Sequence, residues 1–160
     1  MSSLSDTDRA YAAGLIDGEG CIGLYNTRTR KERRAAYYQL TVRVAMRSGA
    51  PILWLQSRFG YGTTTSHNKG SKAADVFYYV WQARNRQAET VLREILPYLV
   101  EKAPQARLAL EFCEHRRQMK ERLNPQRGER YPEAVLNGYD EYISRFKQMK
   151  RDFSDHLQLN

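Results

Sequence analysis

The stretch "AAGLIDGEGCIGL", residues 12 to 24, begins as a helix of small residues and ends as a strand. It sets Asp17 and Glu19 among Gly14, Gly18 and Gly20. Glycine costs stability inside a helix and is kept where backbones approach closely or turn sharply. Ala10, Gly14 and Gly18 recur at every fourth residue, which makes a flat ridge on which an identical helix can pack. Upstream, Ser5 or Asp6 can cap a helix through "TDRAYAAGLID", and Gly18 and Gly20 end it. The acids therefore stand at a helix end built for contact.

Working outward, "CIGLYNTRT" reads as a first strand and "QLTVRVAM" (39–46) as a second, with Leu40, Val42, Val44 and Met46 on one face and Gln39, Thr41, Arg43 and Ala45 on the other. The charged tract "RTRKERRAA" between them reads as a hairpin tip. Pro51 opens a short helix, "PILWLQSRF", which Gly60 and Gly62 close. A second hairpin follows, "YGTTTSHN" and "DVFYYVWQA" around "KGSKAA". Helical spacing of apolar residues returns from Arg86 to Leu99 and in "PQARLALEFCEHRRQMK". After a loop, "ERLNPQRGERYP", a final helix runs from about Glu133 toward His156. The order is helix, two strands, helix, two strands, then helices, an α+β pattern.

The chain has 160 residues and a formal net charge of +8, from 26 Lys and Arg against 18 Asp and Glu. That length fits one domain with a real core, here 1–160, with a core of about 5–120 and a helical extension over about 121–160. The basic excess favours a polyanionic partner. No basic amphipathic helix points to a membrane, and no leader or apolar run of spanning length is evident, so a soluble, intracellular protein is expected. Cys21 and Cys113 form neither a disulfide framework nor a zinc pair.

"AAGLIDGEG" at 12–20 resembles the motif that names the LAGLIDADG homing endonucleases, with Ala12 in place of the leading Leu and Glu19 in place of the commoner Asp. The order of strand, hairpin, Pro-initiated helix and "FGYG" turn is similar to that family over roughly residues 10 to 120. The resemblance implies an αββαββα unit whose four-stranded antiparallel sheet forms a saddle over DNA, followed here by C-terminal helices. One motif per chain implies a homodimer paired through Ala10, Ala13, Gly14 and Asp17, which cuts double-stranded DNA at a long pseudopalindromic site and leaves 3′ overhangs. Glu19 and the Gly18 carbonyl would hold the metal, Mg²⁺ or Mn²⁺, with Ca²⁺ expected to support binding without cleavage. Asp17 is expected to hydrogen-bond locally at the helix end.

Two further catalytic positions follow from the same resemblance. Lys102 in "LPYLVEKAPQA" matches a basic residue near the scissile phosphate, where a cation stabilises developing charge. A polar residue where the second strand ends is either Arg47 or Ser48, and strand parity with Arg43 selects Arg47. Base reading in the major groove would fall to the polar sheet face: Tyr25, Thr27 and Thr29; Gln39, Thr41 and Arg43; Thr65 and His67; Tyr78, Val80 and Gln82. Phe77, Tyr79 and Trp81 read as core. Arg30, with its basic neighbours at the tip, would grip phosphates. Arg116, Arg117 and Lys120 are either a second phosphate patch or a solvated helix face. The alternative to an enzyme is the same fold kept as a DNA-binding regulator or an RNA maturase.

Overall fold

The computed structural model describes residues 4–27, 37–69, 76–126, 129 and 131–157. The elements run α1 (Asp6–Glu19), β1 (Gly20–Thr27), β2 (Tyr37–Met46), α2 (Gly49–Phe59), β3 (Thr63–Lys69), β4 (Val76–Arg84), α3 (Arg86–Ile95), a 3₁₀ turn (Leu96–Tyr98), α4 (Ala103–Leu123) and α5 (Glu133–Leu157). The strands form one sheet in the order β1-β2-β4-β3, with β4 antiparallel to both β2 and β3. The expected α+β order is the observed one. No helix among the described residues is long and apolar enough to cross a membrane.

Helix α1 starts where its sequence can satisfy the first orphan amides. Ser5 accepts from the Asp8 amide while the Asp8 carboxylate accepts from the Ser5 amide, each at 3.1 Å, a reciprocal cap. Asp6 and Asp8 also place negative charge at the positive end of the helix dipole. The helix stops at Gly20, whose amide still donates to the Ile16 carbonyl. A Cβ on Gly20 would lie 2.6 Å from both Ile16 Cα and Ile16 O, so only glycine lets the chain leave the helix this closely.

The described residues group into two compact units, one drawn from Met1–Gly23 and Leu40–Ala103, the other from Leu24–Gln39 and Pro104–Asn160. In the first, α1 buries Ala12, Ala13 and Ile16, β2 buries Leu40, Val42 and Val44, and α2 and α3 add Ile52, Leu55, Val91 and Leu92. Burying such an aliphatic side chain contributes about 1.5–3 kcal/mol. Val44 pairs with Trp81 and Val42 with Ala83, so the apolar parity of β2 continues on β4. Trp81 is fully buried, stacked on Phe59 at 5.5 Å, with its indole N–H on the Tyr61 carbonyl at 3.2 Å. Gly62 (φ +95°) passes so close that a Cβ would fall 2.6 Å from the indole nitrogen. Ion pairs from Arg9 to Glu94 (2.7 Å) and from Arg58 to Asp8 (3.4 Å) tie α1 to α3 and α2.

The second unit has an aromatic core. Tyr38, Phe112 and Tyr139 meet with ring centroids 5.1–5.7 Å apart, beside buried Leu24, Ile143 and Phe146. Such ring pairs add to their burial through favourable edge contacts.

Several readings of the sequence need correction. Helix α2 begins at Gly49, so Pro51 sits inside its first turn, where the missing N–H costs nothing. Helix α3 ends at Ile95, because Pro97 falls in the 3₁₀ turn, and α4 continues past Lys120 to Leu123. Phe77 is 47% exposed rather than core, being paired with Asn68 near the outer end of β4. Val80 is buried despite its polar-face parity, because Ala45 and Thr65 flank it in the middle of the sheet.

Candidate active site

The last turn of α1 is fixed from outside the helix. The Asp17 carboxylate accepts from the backbone amides of Val100 (2.7 Å) and Lys102 (2.9 Å). In return the Lys102 ammonium donates to the Asp17 carbonyl, one of the carbonyls that a helix end leaves without an intrahelical partner. Helix α1 has no basic residue in its own last turn, so Lys102 supplies the cation that the negative end of the dipole favours. Asp17 thus makes tertiary contacts, not the local cap expected of it. A local cap would have spent its two oxygens on its own helix, whereas here they fasten the α3–α4 connection.

Held this way, Glu19 is exposed at the end of α1 and lines a cleft of about 690 Å³ with Arg43, Ala45, Met46, Arg47, Ser48 and Tyr78. Arg47 is the bend after β2, and Ser48 takes the N-cap position of α2 without a side-chain cap bond. Both candidates for the strand-end position therefore face the same cleft. One carboxylate and two guanidinium groups suit a divalent cation and a phosphate together: the carboxylate is a hard oxygen ligand, and guanidinium forks match phosphate oxygens. Lys102 is half-buried and does not line the cleft; its ammonium is engaged with Asp17.

In the first unit the register brings Arg43, Thr65, His67, Tyr78 and Gln82 onto one sheet face: Arg43 pairs with Gln82, and His67 with Tyr78. Arg43, Thr65 and His67 are exposed, Tyr78 and Gln82 half-buried. His67 is steadied by Thr65 (3.1 Å) and by the Tyr78 ring (5.5 Å), and Gln82 accepts from Arg84 at 3.0 Å. Thr41 has the same parity but is only 6% exposed, against the expectation of an open side chain. It is a short side chain between long ones, Arg43 on its strand and Arg84 across from it.

In the second unit Tyr25 is 46% exposed and Gln39 half-buried, each alternating with a buried neighbour, Leu24 and Tyr38. Thr27 closes β1, while Thr29 and Arg30 lie outside the described residues.

Ala10, Gly14 and Gly18 share an exposed face of α1, and a Cβ added at Gly14 or Gly18 would meet nothing within 4 Å. Ala13 does not belong with them. It is fully buried with Ala12 and Ile16, because at about 3.6 residues per turn it stands more than a quarter turn from Gly14, on the core side of the helix. On α4, Arg116 lies over the rings of Tyr38 (5.8 Å) and Phe112 (5.6 Å), and Arg117 pairs with Glu114, so both of these arginines have intramolecular partners.

One cluster went unread in the sequence. Asn26 of β1 donates to Asp140 Oδ1 of α5 at 2.7 Å, and the Tyr38 hydroxyl of β2 donates to the same oxygen at 3.3 Å. In the sequence Asp140 stands in "AVLNGYDEY", where no spacing ties it to a strand residue.

No protein-family model matches the chain, and no curated protein is similar to it in sequence. Solved structures resemble it in fold. The homing endonuclease I-CvuI, in complex with its target in the presence of Ca, aligns at TM-score 0.68 and 20% identity over 89% of this chain and 81% of its own. The homing endonuclease I-TnaI aligns at 0.57 and 15% identity over 95% and 99%. The LAGLIDADG homing endonuclease I-GzeII, in complex with a DNA target, aligns at 0.62 and 14% identity over 89% and 44%. At these identities the likeness speaks for architecture: the chain has the LAGLIDADG homing endonuclease fold.

Proposed function

We propose that the chain is a site-specific double-strand DNA endonuclease, acting as a homodimer with divalent metal ions and leaving 3′ overhangs. The observation that carries this reading is Glu19, presented at a fastened helix end into a cleft shared with Arg43 and Arg47. It is supported by a fold shared with endonucleases solved on DNA, one of them with Ca and again with Mg. The open face of Ala10, Gly14 and Gly18 suits close packing against a second copy.

The donor set fits Mg²⁺. Among the described residues no three His, Cys, Asp or Glu side chains gather as a metal site. Mg²⁺ does not need them, since it binds through one or two carboxylates and completes its shell with phosphate oxygens and water. Glu19 and the Gly18 carbonyl would hold it, and when bound it supplies a more acidic water and charge neutralisation at the scissile phosphate. Hydrolysis forms a bond from water oxygen to phosphorus and breaks one from phosphorus to a sugar oxygen. Arg47 orients the phosphate. The Lys102 ammonium has three donors, so its contact with Asp17 leaves capacity for a phosphate oxygen. Tyr25, Thr27, Thr29, Gln39, Arg43, Thr65, His67, Tyr78 and Gln82 read bases, and Arg30 grips phosphates.

The test is incubation with a randomised duplex library in Mg²⁺ and sequencing of the cut ends, for wild type and Glu19→Gln. Wild type should cut one pseudopalindromic site with a 3′ stagger. Glu19→Gln should bind that site in Ca²⁺ yet cut about 10³-fold more slowly, the size expected for several kcal/mol of lost charge stabilisation. Undiminished cutting by the variant rejects Glu19 as ligand. Tight binding of one duplex without cutting by wild type marks a regulator, and preference for folded RNA marks a maturase.

A further inference from the structure

The geometry points to Asp140 as a positioning residue for base selection: it locks β1 to β2 in the register that presents Tyr25 and Gln39, and so decides what those two side chains read. This rests on the DNA-binding reading above. No part of it involves Glu19 or the cleft.

A single carboxylate oxygen, Asp140 Oδ1, receives one donor from each strand, Asn26 Nδ2 at 2.7 Å and Tyr38 OH at 3.3 Å. Tyr38 is held at its other end too. Its carbonyl accepts from Arg116 at 3.5 Å, its hydroxyl also reaches the Leu136 carbonyl at 3.4 Å, and its ring is buried against Phe112 and Tyr139. Asn26 depends on Asp140 more heavily, because its own amide oxygen is buried without a partner among the described residues. Side chains alternate across a strand, so the residues beside these anchors, Tyr25 and Gln39, point to the opposite face. A slip of either strand by one residue would carry Asn26 or Tyr38 off the face that Asp140 holds and turn Tyr25 or Gln39 inward. The contact that forbids the slip therefore also fixes the reading face.

The pairing itself favours a selective role over plain stability. Apolar residues at 26 and 140 would hold two strands against a helix equally well, without a charge to desolvate. A shared acceptor instead makes the two strands report to one point, which fixes their relative position along as well as across the sheet.

The experiment uses the full chain. Base preferences are profiled by selection from a randomised duplex library in Ca²⁺ for wild type, Tyr25→Ala, Gln39→Ala, Asp140→Ala, Asp140→Asn and Asn26→Ala. The first two substitutions define which base pairs the hairpin reads. Asp140→Ala should lower preference at those pairs and no others, by about tenfold, the order of one lost base contact. Asp140→Asn keeps an acceptor oxygen and should restore the profile. Cutting of the wild-type site at saturating protein should stay unchanged in both. Amide exchange, measured without DNA, should rise at 24–27 and 37–39 in Asp140→Ala and not in α1.

Raised exchange with an unchanged base profile would overturn the inference and leave Asp140 a structural contact. Loss of preference at every position would overturn it as well. Should Asp140→Ala fail to fold, Asn26→Ala carries the same expectation, having removed only the β1 half of the anchor. If wild type selects no duplex at all, the DNA reading fails, and this inference with it.

Discussion

Two aspartates fasten the two units, by different chemistry. In the first, Asp17 accepts from main-chain amides, those of Val100 and Lys102. In the second, Asp140 accepts from side chains, those of Asn26 and Tyr38. A main-chain donor is present whatever residue occupies the position, unless that residue is proline, so the hold of Asp17 on α1 survives sequence drift at its partners. The hold of Asp140 needs an amide and a phenol at two particular places. The end that bears Glu19 is thus anchored to what cannot change, and the hairpin is anchored to what substitution can reset.

The largest effect that could break this comparison is the loss of Asp17. Asp17→Ala leaves two amides and removes a charge-assisted pair, and hydrogen bonds to charged groups contribute about 1.5–3 kcal/mol each, so a loss of about 2–4 kcal/mol is expected by urea unfolding. Cutting should fall with it, since Glu19 is two residues away on the same turn. A cost below that of Asp140→Ala would reverse the ranking and make the hairpin the better-fastened region.

Next in size is Gly14→Leu, which separates the outside of α1 from its inside. The site is open within 4 Å and exchanging glycine for a better helix former stabilises a helix by up to about 1 kcal/mol, so the isolated chain should be no less stable. Self-association should weaken at least tenfold, because overfilling a close helix contact costs about 1–3 kcal/mol. Sedimentation against concentration, with urea unfolding alongside, measures both. An unchanged dimer rejects the α1 face as the contact.

The same two regions differ in how much of them the sequence discloses. The first unit is written locally: Ser5 and Asp8 are three residues apart, Leu40, Val42 and Val44 recur at every second residue of β2 and are all buried, and Gly60 and Gly62 stand where the chain takes left-handed angles. Glu19 is marked by the family resemblance that residues 12–20 carry. Burial overrode parity where neighbours differ in length, as at Thr41 and Val80, and where a helix turn rotates a small residue inward, as at Ala13. The anchor of the second unit joins Asn26 to a residue 114 positions away, and nothing in a local window couples an Asn in a strand to an Asp in a distant helix. The partners of Asp17 are distant as well, but there the motif marked the residue before its contacts were known.

A finer probe compares one tyrosine from each region. Tyr38 and Tyr61 are both pushed up to about 12, chiefly by burial, with Asp140 adding to the first and Glu94 to the second. A phenol whose folded value exceeds its unfolded one, near 10, binds its proton more tightly in the native state. The stability it contributes is fully present below pH 10 and is lost as pH rises through about 12. Asp140→Asn removes the carboxylate and should lower the Tyr38 value while leaving that of Tyr61 in place, as followed by NMR of ring-labelled tyrosine. Equal movement of both would mean that Asp140 acts on the whole chain and not on the hairpin.

The smallest effect lies at the other end of α1 and asks whether that helix is fastened at both ends or only where Glu19 stands. Ser5→Ala removes the side chain that caps the Asp8 amide, and losses of this kind cost about 1 kcal/mol. The Asp8 carboxyl is held below the usual carboxylate value, first by its hydrogen bond to the Ser5 hydroxyl, then by the Ser5 amide; burial opposes them, and Arg58 and Arg9 add less. A depressed value means that the native state binds this proton less tightly than the unfolded chain does. The stabilisation is therefore present above the unfolded value, near 4, and fades as pH falls through the lower native one. With the hydroxyl gone, part of that depression goes too, so the stability gap between wild type and Ser5→Ala should be widest at neutral pH and narrow in acid. Urea midpoints at pH 7 and at pH 3 measure it. A gap that stays the same at both pH values would show that Ser5 stabilises the helix through the Asp8 amide alone, with the reciprocal carboxylate contributing nothing, and that α1 is held in place from its Asp17 end.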